Sequence, residues 1–241
     1  MKLLSIELKK GRRSGVFPVM LGVGLLGALY AFANFAVRKE SLLSLPLPPM
    51  TILLTQLYGM IMVMNLFGII VAACLIYNVE HRGNALNKMM ALPISISGIY
   101  FTKFAILTTL VAVGIALQNI ALAIIGNLYL PEGTFDAAVL LRFTVYSFVT
   151  SMPVLSFMLA VSSRFESMWI TLGIGVAGFF SGMTMTTANS KLFLINPFVL
   201  IMEPAMSPNT VIDTTVIVLS ISETIVFLVA GQMLMKHIRY E

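Results

Sequence analysis

The alternation of apolar and polar stretches divides the chain into six long hydrophobic runs joined by short polar segments. The runs cover residues 16–37, 51–77, 98–125, 138–161, 168–187 and 211–235. Each reaches the roughly 20 apolar residues that an α-helix needs to cross a bilayer, and the third is long enough to tilt or to extend past the lipid. Ala31-Phe32-Ala33 mimics a signal-peptidase site. The run that holds it is longer than the roughly 7–15-residue apolar core of a cleavable signal, so it reads as an uncleaved first helix. The pattern therefore predicts an all-α membrane protein, a single transmembrane domain over 1–241 with six transmembrane helices.

Three segments outside these runs carry structure of their own. In residues 1–13, Leu3, Leu4, Ile6 and Leu8 mix with Lys2, Glu7, Lys9 and Lys10. Leu4 and Leu8 share a helical face while Lys2, Lys9 and Arg13 reach toward lipid phosphates, which reads as an interfacial helix; the plainer alternative is a positively charged anchor. The loop 78–97 places Leu86, Met89, Met90 and Pro93 at i, i+3, i+4, i+7 spacing. Asn84 can cap a short amphipathic helix there, and Pro93 ends it. Such a helix, with exposed methionines, can enter a groove on a partner. In the loop 188–210, Asn196-Pro197-Phe198 and Glu203-Pro204 punctuate an apolar stretch at 192–202. It is too short to span, so it forms a re-entrant segment or lies on the headgroups.

Composition sharpens this picture. Apolar residues make up 59% of the chain and charged residues 10%, with a mean hydropathy of +0.97, against about 45–50% and about 25% for soluble domains. That excludes an ordinary soluble enzyme, a disordered chain and a nucleic-acid binder. The 15 basic residues behind the net charge of +5 form no single long patch. The one cysteine, Cys74, lies in an apolar run and offers no internal disulfide. Eleven of the basic residues fall on one side of the six-helix scheme: Lys2, Lys9, Lys10, Arg12, Arg13, Arg82, Lys88, Lys103, Arg164, Lys236 and Arg239. The other side has four, Arg38, Lys39, Arg142 and Lys191. By the positive-inside rule both termini are cytoplasmic.

Catalytic and nucleotide-binding patterns are missing from the sequence. There is no G-x-x-x-x-G-K-[ST] loop and no H-E-x-x-H pair, and the two histidines, His81 and His237, are far apart. The chain reads as a non-enzyme with no metal or cofactor of its own. Glycines cluster in two spans: Gly22, Gly24 and Gly27 in the first, and Gly178-Phe179-Phe180-Ser181-Gly182 in the fifth. Small residues let helices approach closely in lipid, either within one subunit or across a subunit interface built on Gly24, Gly27, Gly178 and Gly182. Glu223 stands near the middle of the last span, where a charge costs about 2.5–3.5 kcal/mol on insertion scales. A hydrogen bond to another span, a proton relay and contact with a cationic substrate are its three readings. Asn65, Gln118, Asn119 and Gln232 read as interhelical hydrogen-bonding groups.

A basic interfacial helix, six spans, and a second-to-third-span loop carrying Glu80-x-x-Gly83 followed by Leu92-Pro93-Ile94-Ser95 resemble the permease subunits of type-2 ABC exporters. The length, the Glu80-to-Leu92-Pro93 spacing and the short loops look most like the lantibiotic-immunity and bacitracin-resistance permeases. That resemblance implies a coupling helix at 78–97, with Glu80, Arg82, Gly83, Leu86, Lys88, Met89, Met90, Leu92 and Pro93 facing a cytoplasmic ATPase subunit. It also implies two ATPase copies that bind ATP and Mg, a second permease of the same or a homologous chain, and helices dipping into the outer leaflet at 188–210. Spans one and five would line the dimer seam. The implied role is expulsion of a hydrophobic, membrane-inserted peptide antibiotic across a bacterial cytoplasmic membrane, as in bacteriocin immunity. Another type-2 exporter, moving a lipid, polysaccharide or drug, is the alternative. A secondary transporter or a scaffold without an ATPase is the third reading.

Overall fold

The computed structural model describes residues 2–81, 96–186, 191–206 and 212–237. Nearly all of these are helical. A short helix α1 (Lys2–Ser14) leads into α2 (Val16–Leu43), followed by α3 (Pro49–His81), α4 (Ile96–Tyr129), α5 (Ala137–Arg164) and α6 (Met168–Thr186). A 3-10 turn (Lys191–Ile195) and two single-turn helices, α7 (Pro197–Leu200) and α8 (Glu203–Met206), precede α9 (Thr214–His237). Among the described residues, six helices are long and apolar enough to cross a membrane: α2, α3, α4, α5, α6 and α9. The chain is a multi-pass membrane protein, and its spans run several residues past the apolar runs at the ends of the second and third.

Local chemistry sets the helix ends. Asp136 accepts the amides of Ala138 (2.8 Å) and Val139 at the start of α5. Asp213 accepts that of Thr215 (2.8 Å) at the start of α9, and Asn196 that of Phe198 (3.0 Å) at α7. Each carries one of the oxygens favoured at the N-terminal cap, where free amides await an acceptor. Between α1 and α2, Gly15 adopts φ 81°, a left-handed turn that a side chain resists. Near one end of α3, Ile52–Leu57 winds as a π-helix.

The helices α3, α4 and α5 form the interior, and α2, α6 and α9 pack around them with most of their surface exposed. Such outward apolar surface is what lipid or a partner helix covers. The α2–α4 contact is close because two glycines meet: a Cβ on Gly24 would lie 3.0 Å from the Gly114 Cα. The α3–α6 contact rests on Phe67 against Phe179 (5.1 Å between centroids) and on Gly175 over Ile70. In the α5–α9 contact Phe157 meets Phe227 edge-on at 5.2 Å.

The segment around α7 folds back into the bundle. Phe198 sits in the hollow left by Gly178 and Gly182 and stacks edge-on with Phe157 at 5.8 Å. Gly178 lies eight residues before the end of α6, so at 1.5 Å per residue the ring reaches about 12 Å below that helix end. Leu192 and Ile195 of the preceding turn point outward, whereas Val199, Leu200, Ile201 and Met202 are buried.

Candidate functional site

The loop expected to carry coupling chemistry begins at the end of α3 and returns at the start of α4. Residues 82–95 lie outside the described residues, and with them Arg82, Gly83, Leu86, Lys88, Met89, Met90, Leu92 and Pro93. Its two roots are described, and they are joined by charge. Glu80, one residue from the end of α3, and Lys103, in the second turn of α4, pair at 2.9 Å. Both are almost fully buried, at 2% and 1% exposure.

Lys103 does more than close the loop. Its ammonium donates to Glu7 Oε2 of α1 at 2.8 Å and to the Ile76 carbonyl of α3 at 3.3 Å, and it lies 5.2 Å from the centre of the Tyr77 ring. An ammonium has three protons, and Lys103 has three oxygens around it. Glu7 is itself buried and also accepts from Lys10 at 2.9 Å; Lys10 approaches Glu80 at 3.6 Å. Two acids and two bases thus form one neutral cluster linking α1, α3 and α4. Burial pushes the Glu7 carboxyl up, but the charge and hydrogen bond of Lys103, joined by Lys10, overcome it and hold Glu7 below its ordinary value. Among the described residues neither Glu80 oxygen accepts a hydrogen bond of good geometry, and its partners there are the charges of Lys103 and Lys10.

This arrangement gives α1 an inward face as well as an outward one. Leu4, Ile6 and Leu8 are exposed, while the stripe facing the bundle is Glu7, Gly11 and Ser14. The sequence signal was a single acid in a basic helix together with Lys103, six residues into an apolar run. An ionisable group inside a span calls for a partner. Lys103, one of the eleven basic residues on the predicted cytoplasmic side, is internal.

The same end of the bundle gathers other contacts. His81 Nε2 lies 3.2 Å from the Ser162 carbonyl of α5, and Gln232 of α9 donates to Ser97 Oγ of α4 at 3.0 Å. Hence α1, the loop roots, the α5–α6 turn and the end of α9 share one face. At the opposite end Lys39 lies over the Tyr129 ring at 5.0 Å.

The intramembrane polar groups separate into bonded and unbonded ones. Asn65 and Gln118 exchange two side-chain hydrogen bonds of 2.8 Å, and Gln118 also donates to the Val23 carbonyl at 3.3 Å. This amide clasp ties α2, α3 and α4 together. Asn119 donates to the Ile115 carbonyl of its own helix at 2.9 Å, so it joins no second span by that bond. Of the three readings of Glu223, a hydrogen bond to another span is not made among the described residues: both carboxyl oxygens are enclosed without a partner there. The four interface glycines all meet groups of their own chain, Gly24 against Gly114, Gly27 against Gln118, and Gly178 and Gly182 against Phe198.

Between α2 and α3 a cleft of about 390 Å³ opens to the outside, lined by Val19, Val23, Leu26, Met60, Met64 and Phe67 among others. Every lining residue is apolar or glycine.

The family model described as ABC-2 family transporter protein matches residues 3–182, which spans α1 through most of α6 and includes the loop between Glu80 and Lys103. No curated protein matches the chain.

Proposed function

The chain belongs to the ABC-2 family of transporter proteins, and from that premise we propose that it is the permease subunit of an exporter that expels a membrane-inserted peptide antibiotic, as in lantibiotic or bacteriocin immunity. A permease of this family is the membrane component of an ABC exporter and works with an ABC ATPase. In this reading the ATPase is a separate cytoplasmic chain in two copies, which binds ATP and Mg, and a second permease completes the transporter. Both termini and residues 82–95 then face the cytoplasm of a bacterial cell.

One observation carries the coupling role: the buried Glu80–Lys103 pair at the root of the loop. A force applied to residues 82–95 reaches α3 and α4 together, because their ends are bound to each other across a dry contact. Through Glu7 it also reaches α1. Buried charges that would be left unpaired resist separation strongly, so the three elements move as a unit and displacement passes into the spans.

Two features support an apolar peptide as cargo: the spacing from Glu80 to Leu92-Pro93, and the α2–α3 cleft with no polar group on its wall. That cleft equally fits an acyl chain, which favours lipid export as the second reading.

The decisive experiment targets the loop. Met89→Asp and Leu86→Asp would place a charge where an apolar anchor docks, and anchors carry most of the energy of small interfaces. The expected result is a membrane-inserted permease that no longer copurifies with the ATPase or supports its peptide-stimulated hydrolysis, in cells that lose peptide resistance. Lys88→Ala should do much less. Retention of ATPase binding by both aspartate variants would overturn the coupling role, and unchanged peptide resistance on deleting the permease would overturn the cargo.

A further inference from the structure

The exposed side of α1 has no part in the cluster described above, and its chemistry is distinctive. At about 100° per residue, Lys9, Arg12 and Arg13 lie about 160°, 140° and 120° away from Glu7 around the helix. All three are exposed, and none forms an ion pair among the described residues. The only acid of α1, Glu7, is buried and neutralised on the opposite side. Leu4 and Leu8 lie along one side of the cationic strip, exposed by 47% and 37%. The helix ends one residue before the span α2 begins, and a membrane entered by α2 at Val16 would set this strip at the level of the headgroups.

We propose that the outward face of α1 is a docking site for anionic phospholipid headgroups, and that the lipid held there sets how firmly α1 braces the loop roots through Glu7 and Lys103. The charge complementarity is one-sided, three cations with no acid, while Leu4 and Leu8 lie beside them at the acyl boundary as in other interfacial helices. The link inward is direct. Glu7 is on the same short helix as the cations, and its carboxylate contacts Lys103 at 2.8 Å. A lipid that fixes the rotation of α1 therefore fixes Glu7 against the pair that closes the loop. Without the lipid, the buried Glu7–Lys103 contact is left to hold α1 against the loop roots unaided.

The regulatory half of the proposal rests on the exporter reading; the docking half does not. Both are tested on the full chain in phosphatidylcholine nanodiscs with a graded content of phosphatidylglycerol. Labelled phosphatidylglycerol should bind the wild type, and Lys9→Gln/Arg12→Gln/Arg13→Gln should weaken it by roughly fivefold per cation and on the order of a hundredfold in all. Arg38→Gln/Lys39→Gln/Arg142→Gln removes the same charge at the other end and should leave binding unchanged. Equal affinity in the first triple variant, or equal loss in the second, would overturn the docking site. With the ATPase bound, phosphatidylglycerol should raise hydrolysis severalfold in the wild type. Glu7→Gln should keep lipid affinity and lose the response, and Glu7→Asp should restore part of it. Hydrolysis indifferent to phosphatidylglycerol in the wild type, or a full response in Glu7→Gln, would overturn the regulation. Failure of any ATPase to associate would remove the exporter reading and the regulation together, while the affinities still decide the docking site.

Discussion

Replacing Lys103 by methionine keeps most of the length of the side chain and removes the charge on which the cluster depends. Glu7 and Glu80 would then be left almost fully buried with Lys10 as their only cation among the described residues, 2.9 Å from Glu7 but 3.6 Å from Glu80. Lys10 keeps 30% of its side chain exposed, so water competes for it and it cannot compensate both acids. Removing one partner of a buried ion pair costs about 3–5 kcal/mol. For a chain of this size, about 2–4 °C of melting temperature is lost per kcal/mol, so Lys103→Met should melt about 6–20 °C lower. Replacing all three buried groups, in Glu7→Gln/Glu80→Gln/Lys103→Met, leaves neutral groups that pack in the same space and should recover most of that loss, because exchanging a whole buried pair is often near neutral. The assay is built into the chain: Cys74 is its only cysteine and is buried, so a thiol-reactive dye reports unfolding directly. The pH dependence has a fixed sign. Glu7 titrates below its ordinary 4.5, so its contribution is present above that value and is lost as the pH falls through the lowered one. A Lys103→Met variant that melts within about 2 °C of the wild type, or a triple variant no more stable than the single one, would refute the view of the cluster as a dry clamp.

Two more outcomes follow from the opposite end of the molecule. Gly178→Ala would drive a methyl group into the Phe198 ring, and overpacking of this kind costs about 1–3 kcal/mol; the same dye assay should show the loss, and Phe198→Leu in that background should return part of it. Glu203 is raised above its ordinary value by burial and then by the charge of Asp213, so the unfolded chain gives up its proton first and stability falls as the pH rises through the range above 4.5; Glu203→Gln should flatten that fall, and an unchanged pH profile would contradict it.

The six spans were legible because their signal is local: each apolar run is long enough on its own to meet the thickness of a bilayer, and no partner is needed to interpret it. Membership of a permease family was legible for the same reason, through a contiguous loop and its flanks. What sequence alone missed is non-local. Glu7 and Lys103 are 96 residues apart, and nothing in either neighbourhood names the other. A lysine six residues into an apolar run can snorkel to the interface as readily as pair inside, and only the position of α1 decides between these. The fifth-span glycines were open in the same way. A G-x-x-x-G pattern states that something approaches closely, and here the close neighbour is Phe198 of the same chain, brought back by the turn at Asn196-Pro197. Glu223 marks the limit of this argument. Its mid-span position demands a partner on energetic grounds, yet its enclosed oxygens meet none among the described residues. The described residues therefore place a cation beside each buried acid at one end of the bundle and none beside the acid in the last span.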